Sequence, residues 1–297
     1  MRIATWFRAL SLGVVVSLCA VHSTQSTVAA EKGKPIRVLM VTQSKGFQHG
    51  SVKRPEGKLA VSEVAMIQLG QKTGLFTVDC TQNCEADFTK ENLRNYDLVM
   101  FYTTGELPIA PEDSDYFIND WLKQPGHGFI GFHSAADTYR AGSPEKNEEF
   151  RWYWEMVGGT FQSHPWGANA TVTMTVHEPA HPVMQPFGEQ FILQDEIYQY
   201  VNWQPEKVRV LMSLDMTKCN PSRPYHVPVA WVKSWGAGKV YFNNLGHRDE
   251  TWTNPAFLQS IANAVRWMRG ELEGETAPNP QISLAEEAKA RAAAQQP

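Results

Sequence analysis

The segment Gly128-Phe129-Ile130-Gly131-Phe132-His133-Ser134-Ala135-Ala136-Asp137 reads as a buried strand running into a sharp turn with histidine at its apex. Hydrolases of the α/β type place a nucleophile at such an elbow, where the bent backbone demands small residues two positions to either side. Gly131 and Ala135 meet that demand. An imidazole at the apex can ligate a metal or move a proton, but it is poorly suited to acyl-enzyme chemistry. The segment has the form of a nucleophile elbow without the nucleophile.

Ligands of open α/β sheets bind outside the carboxyl ends of the strands, so the residues just after each strand matter most. Here these are Lys45-Gly46-Phe47-Gln48-His49, Thr103-Thr104-Gly105-Glu106, His133 with Asp137, and Leu245-Gly246-His247-Arg248. Neutral imidazoles from separate strands suit zinc or another borderline divalent ion, with a carboxylate or water completing the shell. Asp195 or Glu196 can supply the carboxylate or act as a general base; the alternative is a solvated acidic pair at a strand edge. Each histidine taken singly also has a structural reading, as a hydrogen-bonded side chain.

Other residues carry weaker chemical signals. His164, in the glycine-led stretch Gly158 to Trp166, can be a general acid or base or a loop histidine capping backbone groups. Trp152, Trp154, Trp166, Trp203 and Trp252 can offer flat faces to sugar rings, although most tryptophans in a chain with 10 of them belong to the core. His177-Glu178-Pro179-Ala180-His181 fits H-E-x-x-H by letter. Zincin chemistry needs both histidines on one helical face, and Pro179 and Pro182 oppose a helix, so a turn is expected instead. Asn169-Ala170-Thr171 matches a glycosylation acceptor. No Walker A sequence, dinucleotide glycine fingerprint or G-x-S-x-G is present, which disfavours nucleotide-driven chemistry.

The elements that must position these residues alternate between strand and helix. Ile36 to Val41 suits a strand covered on both faces; a helix within Lys58 to Thr73 follows, with Gly74 as its stop. Strands are expected at Phe76 to Cys80, Leu98 to Tyr102 and Phe129 to Phe132, with a helix from Pro111 to Lys123. This alternation implies right-handed crossovers and an α/β, doubly wound, mostly parallel sheet. After a helix at Glu148 to Val157, the stretches Thr171 to Val176, Phe191 to Tyr200, Val208 to Leu214, Val227 to Trp235 and Lys239 to Asn243 are strand-like. They predict an antiparallel extension of the same sheet. A last helix runs from Asn254, its N-cap, to Arg269. Residues 271–297 read as a flexible polar tail with a short helix at most.

Residues 1–30 read as a secretory signal peptide: Arg2 and Arg8, an apolar run from Ala9 to Ala20, and Val28-Ala29-Ala30 before Glu31. A soluble exported protein, periplasmic or extracellular, is expected, with residues 31–270 as its domain. The apolar run is short for a membrane span. Losing the leader removes two positive charges and no negative one, so the net charge moves from -4 to -6. That argues against a nucleic-acid or anionic-membrane binder. Of the remaining cysteines, Cys80 and Cys84 could close a small disulfide loop, leaving Cys219 free.

The order of Gly46-Phe47-Gln48-His49, Thr103-Thr104-Gly105, Gly131 through Asp137, Gly158-Gly159 through His164-Pro165, Asp195-Glu196-Ile197-Tyr198 and Gly238 through His247 resembles the trehalose-utilisation (ThuA-like) family, over about Ile36 to Gly270. The resemblance implies a class I glutamine amidotransferase-like fold with a flavodoxin-like sheet. Amidotransferases carry a cysteine at the elbow, where this chain has His133, so glutamine hydrolysis by that route is not expected. The implied substrates are disaccharides or other glycosides, in routes through 3-keto sugars. On this basis His49, His133 and His247 would hold a divalent metal, and Glu196, Asp137 or His164 would move the proton. Thr104, Trp166, Tyr198, Arg248 and Trp252 would contact a carbohydrate substrate. Two alternatives stay open: a non-catalytic carbohydrate-binding or scaffolding domain, and a metal-independent glycosidase using Asp195 or Glu196 with a second carboxylate.

Overall fold

A computed structural model describes Met1 and residues 35–295. The expected leader falls, Met1 apart, outside the described residues. Eleven strands are present: β1 (Ile36–Val41), β2 (Phe76–Thr81), β3 (Leu98–Phe101), β4 (Gly128–Phe132), β5 (Thr160–Trp166), β6 (Thr171–Val176), β7 (Gln190–Gln194), β8 (Ile197–Val201), β9 (Arg209–Leu214), β10 (Pro228–Trp235) and β11 (Gly238–Asn243). Nine form one sheet in the order β2-β1-β3-β4-β11-β10-β9-β6-β7. The first five are parallel to one another, and every pairing from β11–β10 onward is antiparallel. The parallel order is that of flavodoxin-like sheets, with the antiparallel extension that the sequence predicts.

Alternate residues of the parallel strands feed two separate cores. Val38, Met40, Leu98, Met100 and Ile130 pack on one face with Met66 and Leu69 of the helix Val61–Thr73 and Ile261 and Val265 of the helix Pro255–Met268. Leu39, Val41, Val99, Phe101 and Phe129 pack on the other with Phe117, Trp121, Tyr153 and Val157. Strands buried on both faces account for the continuous apolar runs, and the period of two decides which core each residue enters.

Helix ends follow local chemistry. Val61–Thr73 begins where Glu63 accepts from the Ala60 N–H (2.9 Å), and it stops at left-handed Gly74. Asn254 accepts from the N–H groups of Ala256 and Phe257, as an N-cap does. The helix expected over Pro111 to Lys123 is an α-helix only for Pro111–Tyr116 and widens into a π-turn at Phe117–Trp121, which buries Phe117, Ile118 and Trp121 together.

Three expectations are corrected. The stretch Phe191 to Tyr200 is two strands in different sheets: β7 pairs with β6, while β8 pairs with β5 in a two-stranded ribbon. The break falls at Asp195-Glu196, where buried Asp195 accepts hydrogen bonds from Gly246 N, Arg248 N and Thr251 Oγ1 and so draws the chain out of the strand. The stretch around His164 is strand β5 rather than a loop. The tail carries a 15-residue helix, Pro280–Ala294, with Ser283, Glu286 and Ala290 buried. It is anchored by Asn279, whose side chain accepts from Val210 N and donates to Val210 O, a hydrogen-bonded dock that no apolar periodicity advertises. Cys80, Cys84 and Cys219 are all free thiols.

Candidate metal centre

The elbow forms as the residue sizes require. His133 follows β4 with φ of +41°, a left-handed conformation that costs a non-glycine residue roughly 1–3 kcal/mol. A Cβ on Gly131 would lie 2.7 Å from Cδ2 of Phe242, so the adjacent strand β11 can lean in only against glycine. The bend is held by His133 Nδ1, 2.8 Å from Asn244 O, and by the Tyr153 hydroxyl, which donates to Ala135 O. Because a carbonyl only accepts, Nδ1 must carry the His133 proton. Nε2, 3.4 Å from Glu196 Oε2, is the ring atom left to face the cluster.

The other histidines are set from neighbouring strand ends. His49 ends the loop after β1, which Thr104 fastens through Lys45 N to Thr104 O (2.8 Å), Gly46 N to Thr104 Oγ1 (3.3 Å) and Thr104 Oγ1 to Phe47 O (2.8 Å). His247 ends the loop after β11, framed by the Asp195 carboxylate and by Ser51, whose hydroxyl donates to His247 O. The His49, His133 and His247 ring centroids are 5.0 to 5.3 Å apart. Glu196, at the strand break, places Oε2 3.4 Å from His133 Nε2 and 3.1 Å from His247 Nδ1. One donor atom from each of His49, His133, Glu196 and His247 lies within 4.8 Å of all the others.

This set fits a divalent ion. Bonds of about 2.1 Å in tetrahedral geometry put ligand atoms about 3.4 Å apart, so the contacts to Glu196 already match and the wider ones need only modest contraction. His49 Nδ1, His133 Nε2 and His247 Nδ1 are buried without a hydrogen-bond partner, a cost of about 1–3 kcal/mol each that ligation removes. Burial, then the like charges of His133 and His247, push the His49 pKa down to about 2, so its imidazole is neutral. Burial would raise the Glu196 carboxyl, but His133 and His247 outweigh it and hold the group well below the usual carboxylate range. Burial likewise opposes charging of His247, yet Glu196 raises its pKa. Three imidazoles, which give up any proton on ligation, beside one ionised carboxylate match the donor chemistry of zinc.

The remaining expected residues divide into two groups. His164, Tyr198 and Asp137 border the cluster. His164 Nδ1 is 3.5 Å from Glu196 Oε1 and its side chain is 55% exposed. The Tyr198 hydroxyl is 3.2 Å from His49 Nε2. Asp137 lies 3.6 Å from Arg140, and burial raises its pKa against the opposing pull of that guanidinium. The rest are structural. Thr104 is buried and fastens the His49 loop. Arg248 spends its guanidinium on Glu250, Asn169 and Ala168 O. Trp166 and Trp252, expected as sugar platforms, are core residues: Trp166 Nε1 donates to Pro221 O, while Trp252 stacks on Tyr102 and donates to Gly246 O. Asp195, satisfied by the His247 loop, is not a member of the cluster.

Sequence reasoning missed Asn244, whose carbonyl orients His133 and whose side chain grips both the N–H and the carbonyl of Tyr198. The polar pair Asn243-Asn244 at the end of an apolar strand was the available signal. The H-E-x-x-H segment is a turn, as expected, with His177 on Ser213 and His181 against Trp267.

Sheet order and the histidine-bearing carboxyl ends define a flavodoxin-like α/β protein with a buried polar cluster at its strand termini. The chain belongs to the ThuA family, described as trehalose utilisation, which it matches over residues 37–268. Membership implies a role in sugar metabolism. Among solved structures it is similar to a ThuA-like protein from Bacteroides uniformis, with 22% identity and TM-score 0.61 over 85% of this chain and 98% of that one. A ThuA-like protein from Parabacteroides merdae, at 14% identity and TM-score 0.59, is covered over 99% of its length and covers 84% of this chain. These likenesses establish the fold. No curated protein sequence matches. No described helix is long and apolar enough to cross a membrane.

Proposed function

We propose that the protein is an exported, metal-assisted enzyme of sugar metabolism acting on disaccharides, other glycosides or their 3-keto derivatives, by hydrolysis, elimination and hydration, or isomerisation. The observation that carries this reading is the convergence of three imidazoles on one carboxylate, with one buried nitrogen of each ring lacking any other partner. His49, His133 and His247 would hold the ion, with Glu196 as a fourth ligand that substrate would displace or join as a fifth. A divalent ion such as zinc, when bound, polarises a carbonyl or hydroxyl oxygen.

The protein's own groups supply the proton transfers. His164 touches Glu196 while standing open to solvent, which suits an imidazole that takes a proton from substrate and passes it on. Asp137, with its pKa raised by burial, suits the complementary acid. A 3-keto group acidifies the hydrogen at C2, so one base and one electrophile suffice for elimination across C1 and C2. The Tyr198 hydroxyl and the Asn244 clamp fix His49 and His133 while this occurs.

Elemental analysis of purified protein, followed by His133→Ala, tests the proposal. The expected result is about one divalent ion per chain in the wild type, lost together with turnover in the variant. Metal-free protein with full turnover overturns metal assistance; saturable sugar binding with no product from glycosides or their keto forms replaces the enzyme with a binding domain.

A further inference from the structure

Phe47 is the one exposed phenylalanine, tyrosine or tryptophan among the described residues, at 66%. Single exposed apolar residues are ordinary on protein surfaces, but this one is held in place. Its ring meets His49 edge-on, with centroids 4.9 Å apart and planes at 84°. The three Thr104 hydrogen bonds fasten the two residues before it and its own carbonyl. Gly105, at φ +73°, lets the facing chain approach so closely that a Cβ there would lie 2.5 Å from Gly46 N. A loop fastened this way fixes the backbone from which the Phe47 side chain projects.

The other aromatics around the cluster are already used. Phe161 is 9% exposed, with the Arg140 guanidinium 4.8 Å from its ring centroid and Tyr198 against it at 4.1 Å. Polar groups flank the same cluster: His164 at Glu196, and Arg140, 48% exposed, at Asp137. A sugar ring has one face of C–H groups and a rim of hydroxyls, and it needs an apolar plane beside hydrogen-bonding side chains.

We infer that Phe47 is the platform on which a sugar ring packs while its hydroxyl rim meets the polar groups beside the cluster, making Phe47 a specificity-determining residue. The inference rests on the sugar-processing reading above, but not on the presence of metal.

The test measures binding of trehalose, sucrose, lactose and their 3-keto forms to the protein as purified and to its Phe47→Ala, Phe47→Leu and Phe47→Trp variants, with metal content measured in each. Alanine and leucine are expected to weaken binding about tenfold or more, equivalent to about 1.4 kcal/mol, while tryptophan retains it and metal content does not change. Wild-type affinity in the alanine or leucine variant overturns the inference. So does the absence of saturable binding to any of these sugars, or an effect of alanine confined to oligomeric state. Phe47-dependent sugar binding by metal-free wild-type protein supports the platform while overturning only the metal assignment.

Discussion

Two groups of histidines show how differently one fold can use the same side chain. At the strand ends, His49, His133 and His247 turn unpartnered nitrogens toward a carboxylate. In the antiparallel half, His177 Nε2 and His226 Nε2 both face Ser213 Oγ, at 3.0 and 2.7 Å. One hydroxyl has a single proton, so it donates to one ring and accepts from the other, and both facing nitrogens are satisfied. Burial lowers the pKa of one histidine in each group, His49 to about 2 and His226 to about 3. Neutrality alone therefore does not make a metal site. What sets the first group apart is its convergence beside an anion, on which the proposed metal site rests.

The largest effect expected from this contrast is on metal content. His247→Ala should weaken metal affinity by more than about 100-fold, measured by competition with a calibrated chelator, whereas His226→Ala should leave it unchanged. Equal losses in the two variants would erase the distinction. Next comes stability: a ligand at about 1,000 times its Kd contributes about 4 kcal/mol, so removing metal from the wild type should lower Tm by about 10 °C and leave a His133→Ala variant unmoved. Calorimetry with and without chelator reads both.

A smaller effect is expected from the hydroxyl that orients His49. Tyr198→Phe should reduce metal affinity about tenfold while the fold is retained, as judged by circular dichroism. Unchanged affinity would make that contact incidental.

The second histidine group should act on acid stability instead. The folded His226 pKa lies near 3, mainly because of burial and then because of His177, against an ordinary value of 6.5. The unfolded chain therefore binds this proton first, so the contribution is complete above pH 6.5 and is lost as pH falls toward 3. At pH 5 the loss is at most about 2 kcal/mol. Denaturant unfolding at pH 7 and pH 5 should show a shallower acid loss in His226→Gln than in the wild type; parallel losses would rule out this source.

Much of the site was legible because it depends on local rules. The elbow was readable from Gly131 and Ala135, since a tight backbone excludes larger residues, and the three clustered histidines follow apolar runs that end at the carboxyl edge of a parallel sheet. Glu196 could not be separated from Asp195, because only the split between β7 and β8 turns one into the cluster and the other into the His247 loop. Trp166 and Trp252 could not be told from surface platforms, since aromatic residues serve both purposes and only packing covers them. The docked tail escaped notice for a related reason: Asn279 anchors it through hydrogen bonds rather than an apolar stripe.

The sequence by itself determined the strand and helix alternation, the parallel core with its antiparallel extension, and the elbow occupied by histidine. These follow from periodicity, residue size and backbone limits that act within a few positions. Tertiary structure decided which nitrogens face one another, which carboxylate joins them and which aromatic face stays in solvent. Those outcomes depend on the register and burial of segments far apart in the chain, where a single strand break redirects neighbouring side chains to different partners.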